Sequence, residues 1–258
     1  MLLTVGIGNG AISLGAMDGH EPVAVASVSA SLGREADEYA VLFGQVLSLH
    51  GVDVGALDGV MVSSVVPPLT DTVMAALRSL TGARVRLLGV GMKTGLNILI
   101  DDPSQLGGDL VAAAVGASAR YGAPTLLIDC GVATTFSVLG EDGAFLGCAI
   151  APGIALSASA LSASASLLPD VASGAPTRAI GRTTAESMRS GSLYGTAALL
   201  DGMILRLERE LGKPFRAIVA SGEAVRGILP LCDREITYDA TLMLRGLAII
   251  YERNTRKG

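Results

Sequence analysis

The feature that most constrains this chain is an internal echo. Leu2–Gly8 and Ala11–Ala16 read as two strands joined at Gly8-Asn9-Gly10, an Asn-Gly step expected to supply the positive φ values of a tight hairpin. Thr125-Leu-Leu-Ile-Asp-Cys-Gly131, followed by Val132–Leu139 and Gly143, has the same strand, glycine turn, strand layout. Shifting the chain by 123 residues lays Gly8 on Gly131 and Gly6 on Asp129. A strand–turn–strand unit repeated at half the chain length, with helical segments after each copy, predicts two related α/β domains around a central cleft. The boundary falls near Arg120–Pro124, which gives domains over 1–120 and 121–258.

Periodicity fills in the rest. Val23–Ser29 is a third strand. Ala36–His50 is a helix, with Tyr39, Leu42, Phe43, Val46, Leu47 and Leu49 at helical spacing behind an acidic first turn. Leu57–Val66 reads as a buried strand ended by Pro67-Pro68, Thr70–Thr81 as a helix, Arg84–Val90 as a strand, and Leu106–Tyr121 as an alanine-rich helix packed tightly on its neighbours. In the second half Ala151–Leu168 and Thr184–Leu211 are helical and Ala217–Ala220 is a short strand. Leu242–Tyr251 is a closing helix expected to pack back toward the first domain.

Composition removes several function classes. Of 258 residues, 50% are hydrophobic and 17% charged, with a net charge of −5, so disorder is excluded. The two long uncharged stretches fail as membrane spans. Met1–Met17 carries Gly6, Gly8, Asn9, Gly10 and Gly15 and lacks the basic start of a signal peptide, while Gly143–Pro169 is broken by Pro152 and Gly153 and diluted by serines. A soluble cytoplasmic protein is expected. Nucleic-acid binding has little electrostatic footing at a pI near 5.1 with no basic run. Cys130, Cys148 and Cys232 share no metal-like spacing and are expected to be small core residues with reduced thiols. The apolar surplus is assigned to a subunit interface.

Two carboxylates stand where chemistry is expected. Asp129 ends a strand in Asp129-Cys-Gly-Val-Ala-Thr-Thr135, a pattern that holds a cation with its carboxylate and phosphate oxygens with backbone N–H groups. A turn with a capping aspartate is the plainer alternative. Asp109, in Gly107-Gly108-Asp109 at a loop-to-helix junction, is either a helix cap or a general base that takes the proton of an alcohol attacking a phosphoryl group.

Several blocks together make a resemblance. Pro67-Pro-Leu-Thr70, Lys93-Thr-Gly-Leu-Asn97, Gly107-Gly-Asp109, Ile128-Asp-Cys-Gly131 with Ala133-Thr-Thr-Phe136, Ile150-Ala-Pro-Gly-Ile154, Gly181-Arg-Thr-Thr184 and Tyr251-Glu-Arg-Asn254 stand in the order and spacing of type III pantothenate kinases. The chain resembles that family over essentially its whole length. The resemblance implies a dimer of the actin-like fold shared by acetate kinase, sugar kinases and Hsp70 (ASKHA), with ribonuclease H-like domains. It implies transfer of the γ-phosphoryl of ATP to pantothenate, the first step of coenzyme A synthesis, with Mg²⁺ and a monovalent cation (K⁺ or NH₄⁺). By position, Asp109 resembles the general base and Asp129 the monovalent-cation ligand. Gly8 and Asn9 fall in the first phosphate loop and Gly131 and Thr134 in the second. Gly107 and Gly108 line the pantothenate pocket, which Thr184 completes from the neighbouring subunit.

The departures carry as much weight. The family's first loop is Asp-x-Gly-Asn-Thr, whereas this chain has Gly6-Ile-Gly-Asn-Gly10, losing the carboxylate that works with Mg²⁺ and a phosphate-binding hydroxyl. Gly-Thr-Ala-Thr becomes Gly131-Val-Ala-Thr134, the nucleoside loop Thr-Gly-Gly becomes Ser221-Gly-Glu223, the Arg after the base is Leu110, and a pocket Tyr is Ile100. Arg to Leu removes a five-donor cation from a pocket that must hold a carboxylate. The expectation is a kinase-like chain, weak or inactive alone, that supports an intact paralogue in a heterodimer. A non-catalytic ligand-binding or regulatory paralogue and a self-sufficient kinase with an altered acceptor are the alternatives.

Overall fold

A computed structural model describes residues 1–169 and 178–255, which divide into two compact units. The first comprises residues 1–120 with the chain from Thr241 onward, and the second residues 121–240.

In the first unit, β1 (Leu2–Ile7), β2 (Ala11–Asp18) and β3 (Glu21–Ser29) form an antiparallel meander. Strands β4 (Gly59–Ser64) and β5 (Arg84–Leu87) add in parallel beside β1, giving the order β3-β2-β1-β4-β5. Alternation along β1 divides the work of its two faces. Leu3, Val5 and Ile7 join Val60 and Val62 in a core that includes Tyr39, Phe43 and Leu47 of α1 (Ala36–Leu49) and Leu69, Val73 and Leu77 of α2 (Pro67–Leu80). On the other face lie α3 (Gly108–Tyr121) and α6 (Leu242–Thr255), which with Met61 form a second cluster. Helices α3 and α6 touch backbone to backbone, because Gly116 and Gly246 carry no Cβ to hold them apart. Helix α6 packs on β1, β2 and β4 although the whole second unit lies between them in the sequence.

The second unit repeats this plan. Strands β6 (Thr125–Cys130), β7 (Ala133–Leu139) and β8 (Phe145–Pro152) are antiparallel, and β9 (Ala217–Ser221) and β10 (Thr237–Tyr238) add in parallel beside β6. Helices α4 (Ile154–Ser164) and α5 (Thr184–Leu211) accompany the sheet, and Leu200 and Ile204 of α5 are fully buried against it. The 123-residue echo is therefore a repeat of topology and register: Leu2–Ile7 and Thr125–Cys130 occupy the same central place in their sheets.

Several local expectations are corrected. Pro67 and Pro68 begin α2 instead of ending a strand, since the first helical residues have no intrahelical acceptor for the N–H that proline lacks. Ala151 and Pro152 extend β8, with Ala151 opposite Thr134, so the following helix starts at Ile154. The turn after β1 is not an Asn-Gly hairpin with positive φ. Gly8 N–H donates to the Ala11 carbonyl at 2.9 Å, the Gly10 carbonyl accepts from Ala30 N–H at 3.2 Å, and neither Gly8, Asn9 nor Gly10 has positive φ. Cys148 is exposed on the open face of edge strand β8, while Cys130 is buried and Cys232 half-buried, and all three are free thiols. Burial pushes the Cys130 thiol up to about 11, against an opposing pull from the Thr134 hydroxyl. Among the described residues, no helix is long and apolar enough to cross a membrane.

Candidate functional site

In each unit the chemistry-bearing residues gather at the carboxyl ends of the parallel strands, the edge where open α/β sheets present ligand sites.

In the second unit three segments meet there. The turn Gly131-Val132 follows β6 and is closed by Gly131 N–H to the Ala133 carbonyl at 2.9 Å. The chain entering α4 is clasped to it by Gly153 N–H to the Val132 carbonyl at 2.9 Å. A Cβ on Gly153 would lie 2.5 Å from the Val132 oxygen and closer still to that of Gly131, so only glycine allows this approach. Gly222, with φ of 91°, closes the third side against the Cys130 carbonyl. Asp129 and Ser221 are register partners across β6 and β9, and the Ser221 hydroxyl donates to Asp129 Oδ1 at 2.5 Å. The Asp129 carboxylate is exposed beside the turn. The Asp129 carboxylate and the Ser221 hydroxyl are the side-chain oxygen donors beside this turn. Among the described residues, no three His, Cys, Asp or Glu side chains converge as a metal site. Thr134 is fully buried, on the face of β7 that carries Phe136 and Val138 into the core.

The corresponding place in the first unit is built differently. Gly6 and Ser63 are register partners across β1 and β4, as Asp129 and Ser221 are across β6 and β9. Gly6 has no side chain to meet Ser63. The Ser63 hydroxyl is 1% exposed and has no hydrogen-bond partner among the described residues, a state that costs about 1–3 kcal/mol. The space above Gly6 is taken by Met243 of α6, whose Sδ lies 2.7 Å from where a Cβ on residue 6 would stand, with its Cε closer. Hard divalent cations take oxygen ligands, and a thioether is a soft donor. The donor set at this turn therefore does not suit Mg²⁺. Asn9 and Gly10 are exposed, and a Cβ on Gly10 would meet nothing within 4 Å among the described residues.

Asp109 follows Gly108, which packs against Ser63 at the end of β4. It is the second residue of α3, half-buried, and its Oδ1 accepts from Leu110 N–H at 2.8 Å. A carboxylate in the first helical turn is stabilised by the helix dipole, so placing it there carries no folding penalty. Gly107 and Gly108 lead into the helix, with a Cβ on Gly108 3.1 Å from Ser63 Oγ and one on Gly107 3.5 Å from Val65. Leu110 and Ile100 are both half-buried.

Thr184 opens α5 and is exposed. It follows a capping pair in which Thr183 accepts from Glu186 N–H at 3.2 Å and Glu186 accepts from Arg182 N–H at 2.8 Å. With Ser157, Leu161, Leu168 and Met188 it lines an open groove of about 370 Å³ between α4 and α5. Glu223, at the end of β9, does not stand alone: it accepts from the Tyr238 hydroxyl at 3.0 Å and pairs with Arg226, which also covers the Tyr238 ring. Burial and then the Glu223 carboxylate hold the Tyr238 phenol above its ordinary range.

One linkage was invisible in the sequence. Blocks near residues 93 and 254 are bonded to each other: Lys93 N–H donates to Asn254 Oδ1 at 3.0 Å, Asn254 Nδ2 returns to the Lys93 carbonyl at 3.0 Å, and Arg253 bonds the Thr94 carbonyl. The end of α6 thus holds the loop that leads toward Ile100 and Asp109.

Two copies of this five-stranded plan, each with its turn at the carboxyl edge, define the actin-like (ASKHA) fold. A solved Sinorhizobium meliloti structure described as a 2-dehydro-3-deoxygalactonokinase has the same fold, with a TM-score of 0.61 at 13% identity over 100% of this chain and 98% of that one. A family model for type III pantothenate kinases matches residues 2–206. The type III pantothenate kinase of Moorella thermoacetica is 37% identical over 256 residues, covering 99% of this chain and 100% of its own. That of Myxococcus xanthus is 38% identical over 254 residues, covering 98% and 99%. The chain belongs to the type III pantothenate kinase family.

Proposed function

We propose that this chain is the supporting subunit of a heterodimeric pantothenate kinase, with little activity of its own. The observation that carries the proposal is the inequality of the two turns. One keeps a carboxylate bonded to a serine, and the other has a glycine, an orphaned serine and a methionine in that place. In the family reaction, bound ATP with its divalent cation supplies the phosphoryl group, and pantothenate supplies the attacking hydroxyl. Electrostatic stabilisation of the moving phosphoryl dominates such catalysis, and loss of one preorganised group costs about 10²–10³ in rate. A chain lacking the first-turn carboxylate is correspondingly slow.

What this chain retains suits the acceptor side. Asp109 is the residue read as the base that takes the proton of the attacking hydroxyl, and Gly107 has no Cβ to crowd its carboxylate. Asp129 is placed to hold a monovalent cation. Exposed Thr184, beside the groove between α4 and α5, is placed to reach the pantothenate site of a second subunit. The apolar side chains Leu156 and Leu161, 48% and 46% exposed on α4, give such a subunit a surface to cover.

The test is a comparison of ADP release with pantothenate for the purified chain and for the same chain co-expressed with a type III paralogue that has an intact Asp-x-Gly-Asn-Thr loop. Little turnover alone and a gain well above the paralogue by itself is the expected result. No gain on mixing ends the proposal, and rapid turnover by the lone chain replaces it with a self-sufficient kinase.

A further inference from the structure

Met243 is the side chain that the loss at position 6 leaves unexplained. It sits on α6, far from β1 in the chain, yet its thioether fills the volume a side chain at residue 6 would need. It also joins two clusters, one with Met17, Leu244 and Ala248 and the other with Met61, Val111 and Leu247. Its methyl end is flexible and the side chain is half-buried, but it packs against both clusters. Beneath it the Ser63 hydroxyl is buried without a described partner, at the register position where Ser221 bonds Asp129 in the other unit.

We propose that Met243 is a plug that excludes a divalent cation from the first turn, so that residues 6 and 243 act as one specificity-determining pair. Restoring the carboxylate alone does not rebuild the site. Restoring it and withdrawing the thioether gives Ser63 a partner and the cation an oxygen. The inference rests on reading the first turn as a lapsed metal-binding turn, and it concerns cation binding, which is measured without catalysis.

The experiment titrates Mn²⁺ into four full-length proteins, followed by the loss of its free paramagnetic resonance signal: the native chain, Gly6→Asp, Met243→Ala and the double variant, each checked for native circular dichroism. The double variant is expected to bind Mn²⁺ about tenfold or more tighter than the other three, which stay alike. Equal tightening by Gly6→Asp alone shows that Met243 is no plug and overturns the proposal. A folded double variant no tighter than the native chain overturns it equally. Should Gly6→Asp not fold, Gly6→Ala decides the matter. It should lower Tm by about 4 °C in the native background and by less than about 1 °C in the Met243→Ala background, whereas equal drops in both refute the pairing. Co-expression with an intact paralogue tests the heterodimer separately, and either result can fail without the other.

Discussion

The two turns share strand order, register and the serine beside the critical position, where one has a carboxylate and the other a glycine with a methionine packed over it. At Asp129 the pair with Ser221 is complete and the Gly131-Val132 turn is held by bare backbone at Gly153 and Gly222. At Gly6 the backbone ladder is just as regular, yet its serine has no hydrogen-bond partner among the described residues and helix α6 reaches in. The backbone ladder is indifferent to which side chain stands at this place, because the strand hydrogen bonds and the Leu3, Val5 and Ile7 face do not depend on it. The side-chain volume is not, and a neighbour packs into what a glycine leaves open.

Glycine substitutions should break this comparison most forcefully. Gly222→Ala, forced against the Cys130 carbonyl at positive φ, is expected to cost about 3 kcal/mol or more, read as a lower urea midpoint. Gly10→Ala in the other turn, facing open space, should stay within about 0.5 kcal/mol. In the co-expressed complex, Thr184→Ala should raise the pantothenate KM about tenfold, or ~1.4 kcal/mol. Cation binding at the second turn alone sharpens the contrast. Replacing choline with 0.1 M K⁺ should raise Tm by about 1 °C or more, and not in Asp129→Asn.

The smallest effect separates the second unit's scaffold from its turn. Glu208 accepts two hydrogen bonds from Arg234, both at 2.7 Å, which hold its carboxyl below its ordinary value of 4.5. A depressed carboxyl stabilises the fold above the unfolded value, and that contribution is lost as pH falls through the folded one. Thermal stability should therefore drop below about pH 4.5 with a slope that Glu208→Gln flattens, by about 1 kcal/mol or less.

Much of this was legible in the sequence for identifiable reasons. The repeat is written in strand patterns and glycines, and Thr184–Leu211 is long and periodic enough to be read to its ends. Where the reading failed, two local rules competed. Pro67-Pro68 looked like a stop and is a helix start, and Ala151-Pro152 looked helical beside Ile154 but pairs in the ladder. Gly6 stood out in the sequence because its counterpart in the repeat is Asp129. Met243 did not, since nothing in its neighbours along the chain says which strand lies beneath it. The bond between Asn254 and Lys93 was hidden for the same reason.

Helix α6 has a consequence for the order in which the molecule is made. The first unit owns the last described helix, with Leu242, Leu244, Leu247 and Ile250 buried in it. On the ribosome, that unit is still missing one wall while the second is fully synthesised. The half that begins synthesis first is thus the half that completes folding last. Until α6 emerges, the apolar strip around Met61 and Val111 waits uncovered, and a transcript cut short before Leu242 would release a chain with that strip open to aggregation.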